Sequence, residues 1–345
     1  MNYFKPILII GGGLAGLSLG IGLRQRGVPV TIFEAGKYPR HRVCGEFISG
    51  RGQRSLSQLG LRLKLIQAGA RVTESVAFYS GKIFAQKKLP EPALSISRFV
   101  LDNFLAEEFA RLGGELKTGS RWTGSFDEGI VRATGRRVHS IVDGWRFFGL
   151  KVHARSVELK ADLEMHFVPN GYVGLCKLRG GEVNICAMFR SRTTLPVLAK
   201  DWRGWLKGKA DSTLGQRLAK ADFDENSFCS VAGLSLTPQK ASEQNECSIG
   251  DSLTMIPPLT GNGMSMAFES AELAIEPLAN FSSDKISWRE ARQTIAEHCD
   301  QTFNSRLSWA RPLQSTLFQP VLRQSFLLLA SRLPGFWPRF FSLTR

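Results

Sequence analysis

Paired cysteines are missing from this chain. Its six cysteines, Cys44, Cys176, Cys186, Cys229, Cys247 and Cys299, show no C-x-x-C or comparable spacing. That argues against a disulfide framework and a structural zinc site and suits a reduced compartment. Long apolar runs are missing too. The most apolar early stretch, residues 7–23, carries six glycines and no small-residue cleavage site. It therefore reads neither as a membrane helix nor as a signal peptide. In the tail the longest uncharged apolar run is residues 326–330, far too short to span a bilayer. Repeats, low-complexity tracts and long linkers are also absent, and we expect a cytoplasmic protein. Acidic residues are the scarce charge: 30 Asp and Glu stand against 45 Lys and Arg, a net charge of +15. Nucleic acid, an anionic membrane face or an acidic carrier protein could answer that excess. It is uneven, because residues 304–345 hold six arginines and no acid.

What is present begins with residues 5–34. Residues 7–10 form a short apolar run typical of a strand buried on both faces. Gly11, Gly13 and Gly16 follow as G-x-G-x-x-G, with Leu14 and Ala15 between the last two. Apolar residues continue at helical spacing to Leu23, Gly27 and Pro29 stop the helix, and residues 30–33 read as a second strand ending at Glu34. Strand, turn, helix, strand and terminal acid in that order are the pattern of a dinucleotide site. Gly11 allows the tight turn, Gly13 admits a pyrophosphate to the backbone, and Gly16 lets helix and strand close up. The free N–H groups of the helix start would face the phosphates. Glu34 would accept the adenosine ribose hydroxyls and disfavour a 2′-phosphate.

A Gly- and Arg-rich loop follows, then a helix near 53–59 and two strands over 72–88 turning at Gly81. Ser97 caps a helix predicted over 98–112, with Phe99, Leu101, Phe104, Leu105, Phe109 and Leu112 as its apolar side. Residues 115–133 read as strand, and residues 147–189 alternate in short β segments suited to an antiparallel sheet. Helices are expected near 197–207 and 213–221, strands over 228–235 and 246–249, and helix from Gly261 onward.

The second informative stretch is 247–274. A strand ends at Gly250-Asp251, a Pro258-x-x-Gly261-x-Gly263 turn follows, and a helix starts at once, with Asn262 and Met264 flanking Gly263. An aspartate at that strand end can accept hydrogen bonds from a polyol such as ribitol. The helix N-terminus can stabilise negative charge at N1/O2 of a reduced flavin. The two motifs together resemble the FAD-dependent oxidoreductases of the para-hydroxybenzoate-hydroxylase and geranylgeranyl-reductase superfamily. Arg98 stands where that superfamily carries a cofactor-contacting arginine, and Arg42 with Cys44-Gly45-Glu46 falls in the loop that leads to the isoalloxazine in geranylgeranyl-reductase relatives. Residues 149–154 resemble the strand that opens the substrate domain.

The resemblance implies an α/β fold: a Rossmann-like, three-layer ββα FAD-binding domain, an inserted and mainly antiparallel substrate sheet, and a helical C-terminus. The expected division is 1–70, 93–145 and 245–280 for FAD, 71–92 and 146–244 for substrate, and 281–345 for the helices. Where geranylgeranyl reductases carry Y-x-W-x-F-P, residues 171–175 read GYVGL, and the halogenase motif W-x-W-x-I-P is absent. No second G-x-G-x-x-G follows a strand, so NAD(P)H would dock transiently or a protein would donate electrons.

Cys44, Glu46 and Lys151 are the catalytic candidates. Cys44 would steer substrate or pack a turn, Glu46 would move a proton or bond nearby N–H groups, and Lys151 is a snorkelling lysine or an active-site cation. His139, His153 and His166 lack metal-ligand spacing and read as surface or core residues. Gly250-Asp251-Ser252-Leu253 matches an esterase signature, but it is central and no Asp-x-x-His closes the chain. The expected activity is reduction or dehydrogenation of a polyene, prenyl or polyketide-like chain. Hydroxylation of an aromatic or polyketide substrate is the alternative, and a non-catalytic prenyl or lipid binder is a third. The apolar tail with its arginines suggests an anionic membrane surface rather than nucleic acid.

Overall fold

The computed structural model describes residues 4–81, 83–136, 144–192, 201–234, 236–333 and 335–343. The opening motif folds as its spacing requires, with β1 (Ile7–Ile10), α1 (Leu14–Arg24) and β2 (Val30–Glu34). Beyond it come β3 (Phe47–Ile48), α2 (Arg51–Gln58), α3 (Arg62–Gln67), and a long hairpin of β4 (Arg71–Ser80) and β5 (Ile83–Ser95). α4 (Arg98–Arg111) starts at Ser97, whose hydroxyl accepts the Phe99 N–H at 3.2 Å. Leu101, Leu105 and Phe109 of this helix are buried as expected, but Phe99 is exposed and stacks on His41 instead. The first turn of α4 faces a loop rather than the core.

Residues 115–133 form two short strands, not one: β6 (Glu115–Thr118) and β7 (Ile130–Arg132). Gly119 and Gly129, both at positive φ, end the first and begin the second. The crossover between them lays Trp122 edge-on against Phe33 of β2 at 5.0 Å. With β13 (Cys247–Ser248), these strands make a parallel sheet in the order β13-β7-β1-β2-β6. α1 packs between α4 and α7 (Gly263–Ser282) on the other face.

Between β7 and β13 the chain adds five strands to β3, β4 and β5 to build the second sheet. β8 (Arg146–Arg155), β9 (Leu163–Val168), β10 (Gly171–Lys177) and β11 (Val183–Ser191) precede α5 (Trp202–Lys207), α6 (Thr213–Arg217) and β12 (Asp222–Ala232). The expected helix start at 197–200, the end of the expected strand at 235, and His139 lie outside the described residues. Sheet order is β12-β8-β11-β10-β9-β4-β5-β3, antiparallel except for the parallel β9–β4 pair.

Alternation gives this sheet two faces. Phe148, Leu150, Val152 and Ala154 of β8 pack on α5 and α6 through Leu206, Leu214 and Leu218. On the other face Lys151 and His153 meet the loop that carries His41 and Glu46, and Phe147 packs on Phe318. Three helices complete the chain: α8 (Trp288–Phe318), α9 (Pro320–Arg332) and α10 (Phe336–Leu343). α8 begins with a capping box in which Ser287 and Glu290 each satisfy the other's backbone N–H.

α7 and α8 are joined by a buried ion pair, with Arg306 Nη1 donating to Glu269 Oε1 at 2.8 Å and Nη2 to Oε2. Removing one partner strands a buried charge, so Arg306→Ala should destabilise by about 3–5 kcal/mol. The double change Glu269→Leu with Arg306→Met should recover most of that loss in denaturant unfolding.

Candidate active site

The carboxyl ends of β1, β2, β7 and β13 lie along one edge of the parallel sheet, where ligands of open α/β sheets bind. At the end of β1, Gly11 adopts φ +115°, and a Cβ there would come within 2.2 Å of the Ala133 carbonyl. A Cβ on Gly16 would strike the Gly11 carbonyl at 2.0 Å, so both glycines serve close packing. Leu14 and Ala15 are buried in the first turn of α1.

Glu34 at the end of β2 accepts N–H bonds from Gly12 at 2.8 Å and Gly36 at 2.7 Å, and Arg40 Nη1 at 2.7 Å. Burial alone would raise its pKa, but Arg40 and the two N–H groups bring it down to about 2. Among the described residues nothing hydrogen-bonds the buried Nε and Nη2 of Arg40. Tyr38 closes this end by donating to the Gly12 carbonyl.

Asp251 follows β13 in a short 3-10 turn, and Gly250 donates its N–H to Ser270 Oγ at 2.9 Å. The Asp251 side chain is exposed to the groove, while desolvation by the protein around it pushes its carboxyl pKa up, opposed by the Arg136 and Arg98 cations. Residues 258–260 form another 3-10 turn, Gly261 ends it at φ +68°, and Asn262 precedes α7, which opens with Gly263 and Met264.

Bare backbone joins these points. A Cβ built at Gly13, Gly45, Gly135 or Gly263 would meet no atom within 4 Å. Open glycine backbone at the start of α1, an acid held ionised at the end of β2, and a carboxylate beside the start of α7 fit FAD from adenosine to ring. Arg98, expected at the cofactor, is committed to Asp102 through bonds of 2.6 and 2.8 Å and stands beside Cys44. Arg42 is solvent-accessible.

From Asp251 and Gly261 a cavity of about 220 Å³ runs under the second sheet. Cys44 and Gly45 form its entrance floor; Met165, Phe167, Tyr172, Gly174 and Met188 form one wall. The C-terminal helices close the far side with Leu313 and Leu317 of α8, Phe326 of α9, and Trp337 and Phe341 of α10. Trp337 fixes α10 by donating Nε1–H to the Lys88 carbonyl at 3.1 Å.

Behind Cys44 lies a buried charged cluster. Glu46, at φ +56°, is fully buried and accepts the Arg98 backbone N–H at 2.9 Å and His153 Nε2–H at 2.7 Å. Lys151 is wholly buried, not snorkelling, with Nζ 3.5 Å from Glu46 and 2.9 Å from His41 Nδ1. Burial, then the Lys151 and His153 cations, lower the His41 pKa to about 4, so His41 accepts from the ammonium. His153 Nδ1 faces Glu182 at 3.2 Å. Burial would depress its pKa, but the Glu182 and Glu46 carboxylates reverse that and raise it.

Glu46 and Lys151 therefore meet, and Cys44 is the member of the trio that lines the cavity. Burial raises the Cys44 thiol pKa, and its sulfur accepts the Glu46 N–H at 3.4 Å. Sequence reasoning missed His41, Glu182 and Arg40, and read His153 only as a surface or core residue, which is where it lies, buried in this cluster. His153 carried a signal, since it stands two residues from Lys151 on a strand and so shares its face.

Comparison with known proteins agrees with this geometry. A family model described as an FAD binding domain matches residues 5–139, and one described as squalene epoxidase matches residues 145–306. The fold is similar to a flavoprotein/dehydrogenase from Cytophaga hutchinsonii, with TM-score 0.79, 16% identity, and 99% of this chain and 92% of that one covered. It is also similar to CmlS, a flavin-dependent halogenase, at TM-score 0.75 and 18% identity over 96% of this chain and 66% of that one. PqsL, "a probable FAD-dependent monooxygenase" from Pseudomonas aeruginosa, gives TM-score 0.71 and 15% identity over 94% and 99% of the two chains. Conditioned medium factor receptor 1 of Dictyostelium discoideum is 24% identical over 324 residues, 78% of this chain. The match spans 62% of that protein's length. Residues 5–139 carry an FAD-binding domain, the cofactor is FAD, and the chain as a whole resembles the FAD-dependent oxidoreductases of the para-hydroxybenzoate-hydroxylase superfamily.

Gly13→Val and Asp251→Ala should each lower bound flavin after purification while leaving the apoprotein's unfolding temperature unchanged. Gly11→Ala, which forces a clash, should lower that temperature. His153→Gln should cost about 2–4 kcal/mol near pH 5.5, because the imidazolium between two carboxylates is lost. A raised folded pKa makes that contribution complete below the ordinary value of 6.5. It fades as pH rises through the folded pKa, so the wild-type advantage in urea unfolding should shrink as pH is raised from about 5.5 into the alkaline range.

Proposed function

We propose that this flavoenzyme acts on a carbon–carbon double bond of an apolar polyene, prenyl or polyketide-like substrate, and that it transfers oxygen there. The carrying observation is the apolar cavity that begins at Cys44, Gly45 and Gly261 and ends among the C-terminal helices. When bound, FAD supplies a two-electron carrier that can pass hydride or, once reduced, activate dioxygen. The protein's part is to hold the substrate dry and oriented. The start of α7 presents its N–H groups and positive dipole end to developing negative charge. Cys44, half-buried at the cavity wall, shapes the floor, while Glu46 and Lys151 hold the loop that carries it.

Oxygen transfer is favoured over reduction by the match of residues 145–306 to squalene epoxidase. The reductase reading rests on the Cys44-Gly45-Glu46 loop. Reducing equivalents would come from transiently docked NAD(P)H or a protein donor. Turnover under ¹⁸O₂, with product mass measured, separates the two. One labelled oxygen in the product is the expected result, whereas an unlabelled product heavier by two hydrogens would establish the reductase.

The same helices that wall the cavity expose Trp309, Val321, Leu322, Leu328, Leu329 and Leu333 on their outer side, with Val321 74% exposed. Among the described residues no helix is long and apolar enough to cross a membrane. An apolar outer face accompanied by arginines suits a protein lying on an anionic bilayer and drawing substrate from it. Binding to phosphatidylglycerol vesicles should weaken with salt and fall with Val321→Asp plus Leu329→Asp. Equal binding to neutral vesicles would contradict this.

A further inference from the structure

Tyr172 stands on the cavity face of β10, paired in register with Phe167 on one side and Met188 on the other. It is only 6% exposed, and its hydroxyl has no hydrogen-bond partner among the described residues. Among the described residues that line the cavity, it is the one whose buried polar atom is unpaired. Burial pushes the phenol pKa well above its ordinary value of 10, so it stays protonated and able to donate.

The other polar groups of the wall are placed differently. Thr260 donates its hydroxyl to the Pro257 carbonyl at 3.0 Å. Arg136 and Asp251 act on each other where β7 and β13 end, beside the groove that fits the cofactor. Around Tyr172 the packing partners are apolar: Phe167, Met188, Leu234, Leu317 and Phe318. A hydroxyl left unpaired among such groups is unfavourable, and phenylalanine would fill the same space without that cost. A ligand oxygen at this point would remove the penalty.

We infer that Tyr172 sets substrate specificity by hydrogen-bonding a hydroxyl or carbonyl oxygen on an otherwise apolar molecule. The inference rests on the reading of the cavity as the substrate site and narrows its substrate class. A site of this kind discriminates against the matching hydrocarbon, whose binding leaves the phenol unpaired.

The test uses the full-length, FAD-loaded protein and two probes of similar carbon skeleton, geraniol and the hydrocarbon myrcene. Dissociation constants are measured by tryptophan fluorescence for wild type and Tyr172→Phe. The substitution should raise the geraniol constant about tenfold, as loss of one buried hydrogen bond does, and leave the myrcene constant unchanged or lower. Flavin content should be unchanged and the unfolding temperature equal or higher, because an unpaired hydroxyl is gone.

Equal effects on both probes, or none on geraniol, would overturn the role of Tyr172 while leaving the cavity an apolar site. A fall in flavin content would also overturn it, by making the cofactor the partner of the phenol. Binding of neither probe would sink the inference together with the cavity's assignment as substrate site.

Discussion

The buried carboxylate of Glu46 holds the two halves of this protein in register. Its oxygens accept the first backbone N–H of α4, on the nucleotide side, and the imidazole of His153, on the substrate sheet, with the Lys151 ammonium close by. A charge so deeply buried is tolerable only when its partners are in place. The main chain at Glu46 adopts the left-handed region, which a non-glycine residue occupies at a cost unless the surroundings fix it. Glu46 is therefore both held by the junction and required by it. Cys44 and Gly45, immediately upstream, take their position at the cavity entrance from that junction, and Asn184 secures them further by donating to the Cys44 carbonyl at 3.0 Å.

One loop serves both ends of the proposed cofactor path. Arg40 near its start pairs with Glu34, and Glu46 at its end joins the substrate sheet. A displacement of the loop would disturb adenosine recognition and the cavity floor together. Of the three catalytic candidates, Glu46 and Lys151 lie behind the loop and only Cys44 lines the cavity. Cys44 and Tyr172 are among the side chains that line the space where substrate would sit.

The local motifs were legible in the sequence because each is confined to a few residues with strict steric demands. Gly11, Gly13 and Gly16 with Glu34 could be placed before any tertiary contact was known, and so could Gly250-Asp251, the turn to Gly263 and the Ser97 cap. The long-range part was not legible. Glu46 and His153 lie 107 positions apart, and nothing near either residue announces the other. The cavity's far wall comes from the C-terminal helices, whose apolar residues read equally well as core or membrane-facing. Two local readings also gave way to tertiary context: Phe99 left the helix core for His41, and glycines at 119 and 129 split a strand-like stretch in two.

A crystal structure of the FAD-loaded protein tests this account most directly. It should show the adenosine ribose at Glu34, the ribityl chain at Asp251, and the isoalloxazine between Gly45 and the start of α7, facing the cavity. A flavin ring lying outside that cavity, or a ribose away from Glu34, would contradict the assignment of both the cofactor path and the substrate site.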